Sequence, residues 1–199
     1  MRIFLRVLLG LLLVVVLIAV VMNGIASSQR GADADYHQSL PRTIRLETGK
    51  ISGDSVLAQD CTCKGAERSP DLYWGADLPN IKSFAVVMTD PDVPSPAFPL
   101  FNLTHWVVYD IPAMFSNLPE GLLIEQAMKY KAQFGKNSLG DLKYIGPCPP
   151  IGKHVYLFRV YALDKRLEPT AALDKEQLMD AMKGHILAYG ELKTYYAAD

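Results

Sequence analysis

From Val7 to Met22 the chain runs VLLGLLLVVVLIAVVM without one polar side chain. No other feature constrains its fate as strongly. A helix built from this run has no polar face to turn toward water, so it is not the core helix of a soluble domain. At 1.5 Å per residue it is about 24 Å long, against about 30 Å of bilayer hydrocarbon. Two readings remain open. Asn23–Ala26 on one side and a snorkelling Arg6 on the other complete a spanning helix. Alternatively, Arg2 and Arg6 form the basic start of a cleavable signal peptide, with small residues at Gly24-Ile25-Ala26 or Ala26-Ser27-Ser28 for the cut. Either way the chain that follows is expected outside the cytoplasm, anchored to the membrane or secreted.

The chain has 199 residues with 20 basic and 21 acidic side chains. Residues 1–30 hold three of the basic groups and no acid, so the remainder carries 17 basic against 21 acidic, a net of −4. That mild acidity excludes a nucleic-acid binder, which needs a basic stripe to neutralise phosphates. Half of the residues are hydrophobic and only three are cysteine, which excludes a disordered chain and a disulfide-stapled miniature. Ser27–Ser39 (SSQRGADADYHQS) is small, polar and without apolar period, so a flexible tether is expected over 27–39 and one domain over 40–199.

Within that domain short alternating stretches, each bounded by Pro, Gly, Asn or Asp, predict strands at Thr43–Leu46, Ser83–Thr89, His105–Ile111 and His154–Leu163. From Lys82 to Leu163 the only helical hint is a turn at Ile124–Tyr130, so the fold class is mainly β. Near the end the period changes. Asp174 is an N-cap with Gln177 at the capping-box position, and Leu178, Ala181, Met182, His185, Ile186, Tyr189 and Leu192 follow at helical spacing. An amphipathic C-terminal helix is expected there.

Prolines cluster at Pro91, Pro94, Pro96 and Pro99 and again at Pro147, Pro149 and Pro150. They either rigidify ligand-binding loops or cap edge strands. Polar groups of interest collect at the predicted strand ends: Asp90-Pro91-Asp92-Val93-Pro94, His105-Trp106, and the run Gly146-Pro147-Cys148-Pro149-Pro150-x-Gly152-x-His154-x-Tyr156. Period-2 alternation puts His154, Tyr156 and Phe158 on one face. A His and a Tyr on one face beside a rigid Gly/Pro loop can hydrogen-bond an anion. An aspartate beside such a histidine raises its pKa and makes it a donor to a phosphate oxygen, so anion binding is expected to weaken as pH rises. The C-x-C spacing of Cys61 and Cys63 is not a usual zinc knuckle, and no metal is assigned. Outside the cytoplasm a bridge from Cys148 to Cys61 or Cys63 competes with three free thiols.

The run TDPDVP (Thr89–Pro94), HWVVYDIP (His105–Pro112) and GPCPPIGKHVYLFRVYALD (Gly146–Asp164) resembles the phosphatidylethanolamine-binding protein family, also called the Raf kinase inhibitor protein family, in its prokaryotic-type branch. Cys63-Lys64-Gly65 through Ser69-Pro70-x-Leu72-x-Trp74, Gly135-x-Asn137-Ser138-x-Gly140, and Lys183–Ala188 with Glu191-Leu192 extend the similarity over roughly Leu40 to Tyr195. The departures are Val93 in DPDVP, Lys64 where an aspartate is common, and an unusually apolar loop from Pro96 to Leu103. The resemblance implies a two-sheet antiparallel β-sandwich with a few helices and a small surface pocket for phosphate-type anions, including phospholipid head groups. Carried over by motif, the pocket uses Asp90, His105, Gly146, Pro147, Cys148, Pro149, Pro150, His154 and Tyr156. Asp92 and Pro94 shape the first loop, with a cis Val93–Pro94 bond.

The function expected is therefore a non-enzymatic, cofactor-free binding module for a phosphate-bearing small molecule or lipid head group, with modulation of a protein partner as a further expectation. The competing readings are a hydrolase using Asp90, His105 and His154, and an inhibitor of a kinase or protease acting through protein contacts. A hydrolase lacks an evident nucleophile: no G-x-S-x-G elbow occurs, and Ser138 is the one hydroxyl worth testing.

Overall fold

The computed structural model describes residues 1–197. A long helix, α1 (Arg2–Gln38), is followed by β1 (Arg45–Glu47), β2 (Leu72–Gly75), β3 (Ser83–Val93), β4 (Phe101–Pro112), β5 (Asn117–Leu118), helix α2 (Ile124–Lys129), β6 (Gln133–Phe134), β7 (His154–Leu163), helix α3 (Lys175–Met182) and β8 (Ile186–Tyr196). The strands pair antiparallel in two sheets, a small one ordered β1-β2-β5 and a large one ordered β6-β4-β3-β7-β8. This is the mainly β, two-sheet architecture expected from the sequence.

Period-2 alternation gives the large sheet two buried faces. On one, Phe84, Val86, Met88, Trp106, Val108, Tyr156 and Phe158 share a core with Leu46, Leu72 and Trp74 of the small sheet. On the other, Ala85, Val87, Val107, Tyr109, Tyr161 and Leu163 meet Leu178 and Met182 of α3. A β-sheet buried on both sides carries near-continuous apolar runs, which is how SFAVVM and WVVY read.

Two expectations are corrected. The C-terminal helix does form behind its capping box, in which Gln177 N donates to Asp174 Oδ1 at 2.8 Å and Asp174 N to Gln177 Oε1 at 3.0 Å. It ends at Met182, however, before Gly184 with φ +76°. Ile186–Tyr196 is instead β8, paired along β7 from Leu163 to His154. Ile186, Tyr189 and Leu192 fit a helical period, but the run is rich in residues that suit a pleated surface, and the open edge of β7 satisfies its backbone.

The second correction concerns 27–39, which is not a flexible tether: α1 continues unbroken to Gln38. The segment contains no proline, and extending a formed helix adds one hydrogen bond per residue fixed. Tertiary contacts then hold it. Asp33 Oδ2 and Glu191 Oε2 of β8 each lie 2.8 Å from the buried Arg159 guanidinium of β7. His37, also buried, faces Tyr161 Oη at 2.8 Å through Nε2 and the Asp33 carbonyl at 2.6 Å through Nδ1. The large apolar side chains from Ile3 to Val21 are, by contrast, mostly half or more exposed. By length and composition α1 is long and apolar enough to cross a membrane.

A docked strut and a loose tether respond differently to protease. Trypsin is expected to spare Arg30 in the native full chain and to cut there much faster in His37→Ala, which orphans the buried Tyr161 hydroxyl at a cost of about 1–3 kcal/mol. Equal, rapid cleavage of both forms would mean that the segment is undocked.

Candidate functional site

In the large sheet β3 lies between β4 and β7 and runs antiparallel to both. Its C-terminal end therefore sits beside the starts of its two neighbours, and Asp90, His105, His154 and Tyr156 come together although 66 residues separate the first from the last. Strict alternation would send His105 to the same face as Val107, away from Tyr156. The register prevents this. Met88 pairs with Trp106 and Thr89 with Thr104, so His105 is the extra residue of a β-bulge. Bulges re-aim a side chain. Here the His105 and Tyr156 rings stand edge to face, 5.4 Å apart between centroids.

Asp90, 2 % exposed, holds the cluster together. Its Oδ2 lies 2.7 Å from Nδ1 of the fully buried His154, and its Oδ1 accepts from Asp92 N at 2.8 Å. His154 Nε2 faces the Ile151 carbonyl at 3.2 Å. Both ring nitrogens of His154 thus face acceptors, an arrangement that only the doubly protonated ring satisfies on both sides. Asp90 thereby fixes the orientation of this ring. Asp92 closes the next link, since its Oδ2 accepts from Val155 N at 2.9 Å and its Oδ1 pairs with Arg30 of α1 at 3.1 Å. Arg30 also donates to the Pro91 carbonyl. The Val93–Pro94 bond is cis.

His105 departs from expectation. Its Nδ1 lies 2.7 Å from the Ile145 carbonyl, and a carbonyl only accepts, so Nδ1 carries the proton. Burial pushes the His105 pKa down against the smaller raising effects of that bond and of the Asp90 charge. The ring is a neutral Nδ1–H tautomer, and Nε2 presents a lone pair, not the donor foreseen from the sequence. Burial and the Asp90 carboxylate push the Tyr156 hydroxyl up, so it keeps its proton and can donate. His105 Nε2 and Tyr156 Oη are both buried and have no partner within hydrogen-bond distance among the described residues.

The Gly/Pro loop is strapped down beside the cluster. Cys63 bridges to Cys148 across 85 residues, which in the chain-entropy account stabilises the fold by roughly 4 kcal/mol. Cys63 N donates to the Pro147 carbonyl at 3.1 Å and Tyr144 Oη to the Cys61 carbonyl at 2.9 Å. A Cβ on Gly146 would stand 2.9 Å from the Thr62 carbonyl carbon, so only glycine permits this approach. Gly146, Pro147 and Pro149 are buried, whereas Cys148 and Pro150 are exposed. Cys61 is the free cysteine, and burial pushes its thiol up to about 12. With two of the three cysteines in a disulfide, they offer no thiolate cluster for a metal.

Two contributors escaped the sequence reading: the Ile145 carbonyl, which fixes the His105 tautomer, and Arg30, which neutralises Asp92. A backbone acceptor leaves no trace in side-chain identity. Arg30 lay in a segment read as uninvolved.

Residues 47–197 match the model of the family described as phosphatidylethanolamine-binding protein. The UPF0098 protein of Chlamydia muridarum is 42% identical over 157 residues, covering 78% of this chain and 100% of that protein. The crystal structure of a phosphatidylethanolamine-binding protein homologue from Chlamydia trachomatis superposes with a TM-score of 0.69 at 35% identity, over 78% of this chain and 98% of that one. YbcL of E. coli, a member of the mammalian PEBP family, gives 0.68 at 26% identity, covering 78% and 99%. The chain belongs to the phosphatidylethanolamine-binding protein family, and α1 precedes the stretch that matches the family model.

A buried neutral histidine makes stability depend on pH. The His105 pKa is lowered on folding, so its contribution is complete above the ordinary histidine value of about 6.5 and is lost as pH falls below it. The unfolding midpoint of the native chain is therefore expected to drop more between pH 7 and pH 5 than that of His105→Asn, which keeps a donor for the Ile145 carbonyl. Parallel pH profiles would show that His105 is not held neutral.

Proposed function

We propose that this protein is a non-enzymatic binding module, held at a membrane by α1 with its domain outside the cytoplasm. It takes a phosphate-bearing ligand, phospholipid head groups included, between Asp90, His105, His154 and Tyr156. The observation that carries this is the pair of unpartnered atoms, His105 Nε2 and Tyr156 Oη, on side chains 2 % and 0 % exposed. A buried polar group left unpaired costs about 1–3 kcal/mol, and a ligand that pairs both recovers that free energy. Tyr156 donates to an anionic oxygen. His105 Nε2 accepts from a donor on the ligand, a P–OH of a phosphate monoanion or the ammonium of an ethanolamine head group. The two aspartates do not repel the anion as bare charges, since Asp90 faces His154 and Asp92 faces Arg30.

The placement draws on Arg2 and Arg6 ahead of the apolar run, which favour an inner N-terminus, and on the Cys63–Cys148 bridge, which persists in oxidising compartments. The binding reading is preferred to hydrolysis because Ser138 Oγ accepts from Thr104 N at 2.8 Å and is hydrogen-bonded to neither histidine. A nucleophile needs its base within hydrogen-bond reach.

Tyr156→Phe separates binding from folding. Its hydroxyl has no partner within hydrogen-bond distance among the described residues, so the ligand-free variant is expected to unfold at or above the native midpoint. Its affinity for phosphoethanolamine is expected to fall about tenfold, the worth of one hydrogen bond. Thermal shift and calorimetry on the full chain in detergent check both. Unchanged affinity, or a marked loss of ligand-free stability, would contradict the proposal.

A further inference from the structure

We infer that the Pro96–Phe101 loop is a second membrane contact, lying on the bilayer surface beside α1 and setting the mouth of the Asp90–His105–Tyr156 site at head-group level. This rests on reading α1 as a spanning helix. The loop, PAFPLF, has no charge and no side-chain donor over six residues. It presents Phe98 and Phe101 to the outside, 41% and 43% exposed. Exposed aromatics gathered on one rigid hairpin are what the interfacial layer of a bilayer accommodates.

Where the loop sits relative to the membrane is set by one hydrogen bond. Asn23 Nδ2 donates to the Pro99 carbonyl at 2.7 Å, and Asn23 directly follows Met22, the last residue of the apolar run. That run is about 6 Å short of the hydrocarbon thickness, so the hydrocarbon–head-group boundary falls within the turn Asn23–Ala26, and the loop bonded to Asn23 lies beside it. The loop is pre-shaped for such a contact. Phe98 N donates to the Ser95 carbonyl at 3.1 Å and Leu100 N to the Val93 carbonyl at 2.7 Å. Together with three prolines between positions 94 and 99, these bonds leave little chain entropy to lose on insertion.

The same loop borders the candidate site. A Cβ on Gly152 would stand 3.6 Å from Pro96 Cδ, and the preceding residue, Ile151, turns its carbonyl to His154 and its side chain outward. The apolar rim therefore runs from the β3–β4 hairpin to the Gly/Pro loop. A site framed in this way meets a head group still seated in its bilayer, and a lipid is bound without being extracted.

The test places a reporter on the loop of the full chain reconstituted in phosphatidylcholine vesicles. The native Trp74 and Trp106 are buried and common to every variant. Phe98→Trp is compared with Met114→Trp; Met114 is 83% exposed just past the far end of β4, roughly 36 Å along the strand from Phe101. With lipids brominated on the acyl chain near the head group, Phe98→Trp is expected to emit at shorter wavelength and lose most of its added fluorescence. Met114→Trp is expected to keep its own. Equal quenching of the two in a chain that floats with the vesicles overturns this inference alone and leaves the anchor and the binding site standing. A native chain that fails to float overturns it together with the anchor.

Discussion

A carboxylate at the end of a central strand has to be paired once it is buried, and Asp90 is such a carboxylate. Its two oxygens engage His154 and the backbone of Asp92, and Asp92 in turn binds β7 through Val155 N and α1 through Arg30. Removing one partner of a buried pair costs more than the pair contributes, because the remaining charge is stranded. The end of β3, the start of β7 and the last turns of α1 are thus tied into one polar chain. Beside that chain His105 Nε2 and Tyr156 Oη are buried without a hydrogen-bond partner among the described residues.

The long strands that build the site, β3, β4 and β7, were legible because their alternation and turn residues are local: β7 spans His154–Leu163 as read, and β3 and β4 extend the predicted runs at the ends that build the site, whereas the short β2, β5 and β6 carry too few residues to show a period. The residues that meet at the end of β3, Asp90, His105, His154 and Tyr156, were legible as well, through their motifs. Their protonation was not. The neutral state of His105 depends on a bulge that turns the ring inward and on a carbonyl 40 residues away at Ile145, and neither is a property of the residues around it. The choice of cysteine was equally non-local. Either Cys61 or Cys63 fitted the spacing, and the approach of Gly146 to the Thr62 backbone sets Cys63 opposite Cys148.

The misread C-terminal helix and the misread tether have one cause, tertiary pairing overriding a local pattern. Ile186–Tyr196 carries helical spacing but lies along the free edge of β7. Ser27–Gln38 carries no apolar spacing and yet is helical, because its partners, Arg159, Tyr161 and Asp92, offer charge and hydroxyl groups in place of an apolar groove. The consequence is functional. A tether would let the domain tumble, whereas a docked helix holds the candidate site at a set distance and tilt from the apolar run.

In the proposed function His105 Nε2 is a buried, unprotonated acceptor for a donor on the ligand. Long-range proton–nitrogen NMR of the histidine rings, on the full chain in micelles with and without phosphoethanolamine, tests it most directly. The account predicts that His105 shows the Nδ1–H tautomer near neutral pH and that phosphoethanolamine moves its Nε2 resonance. A protonated His105 ring in the free protein, or an Nε2 resonance indifferent to the ligand, would contradict it.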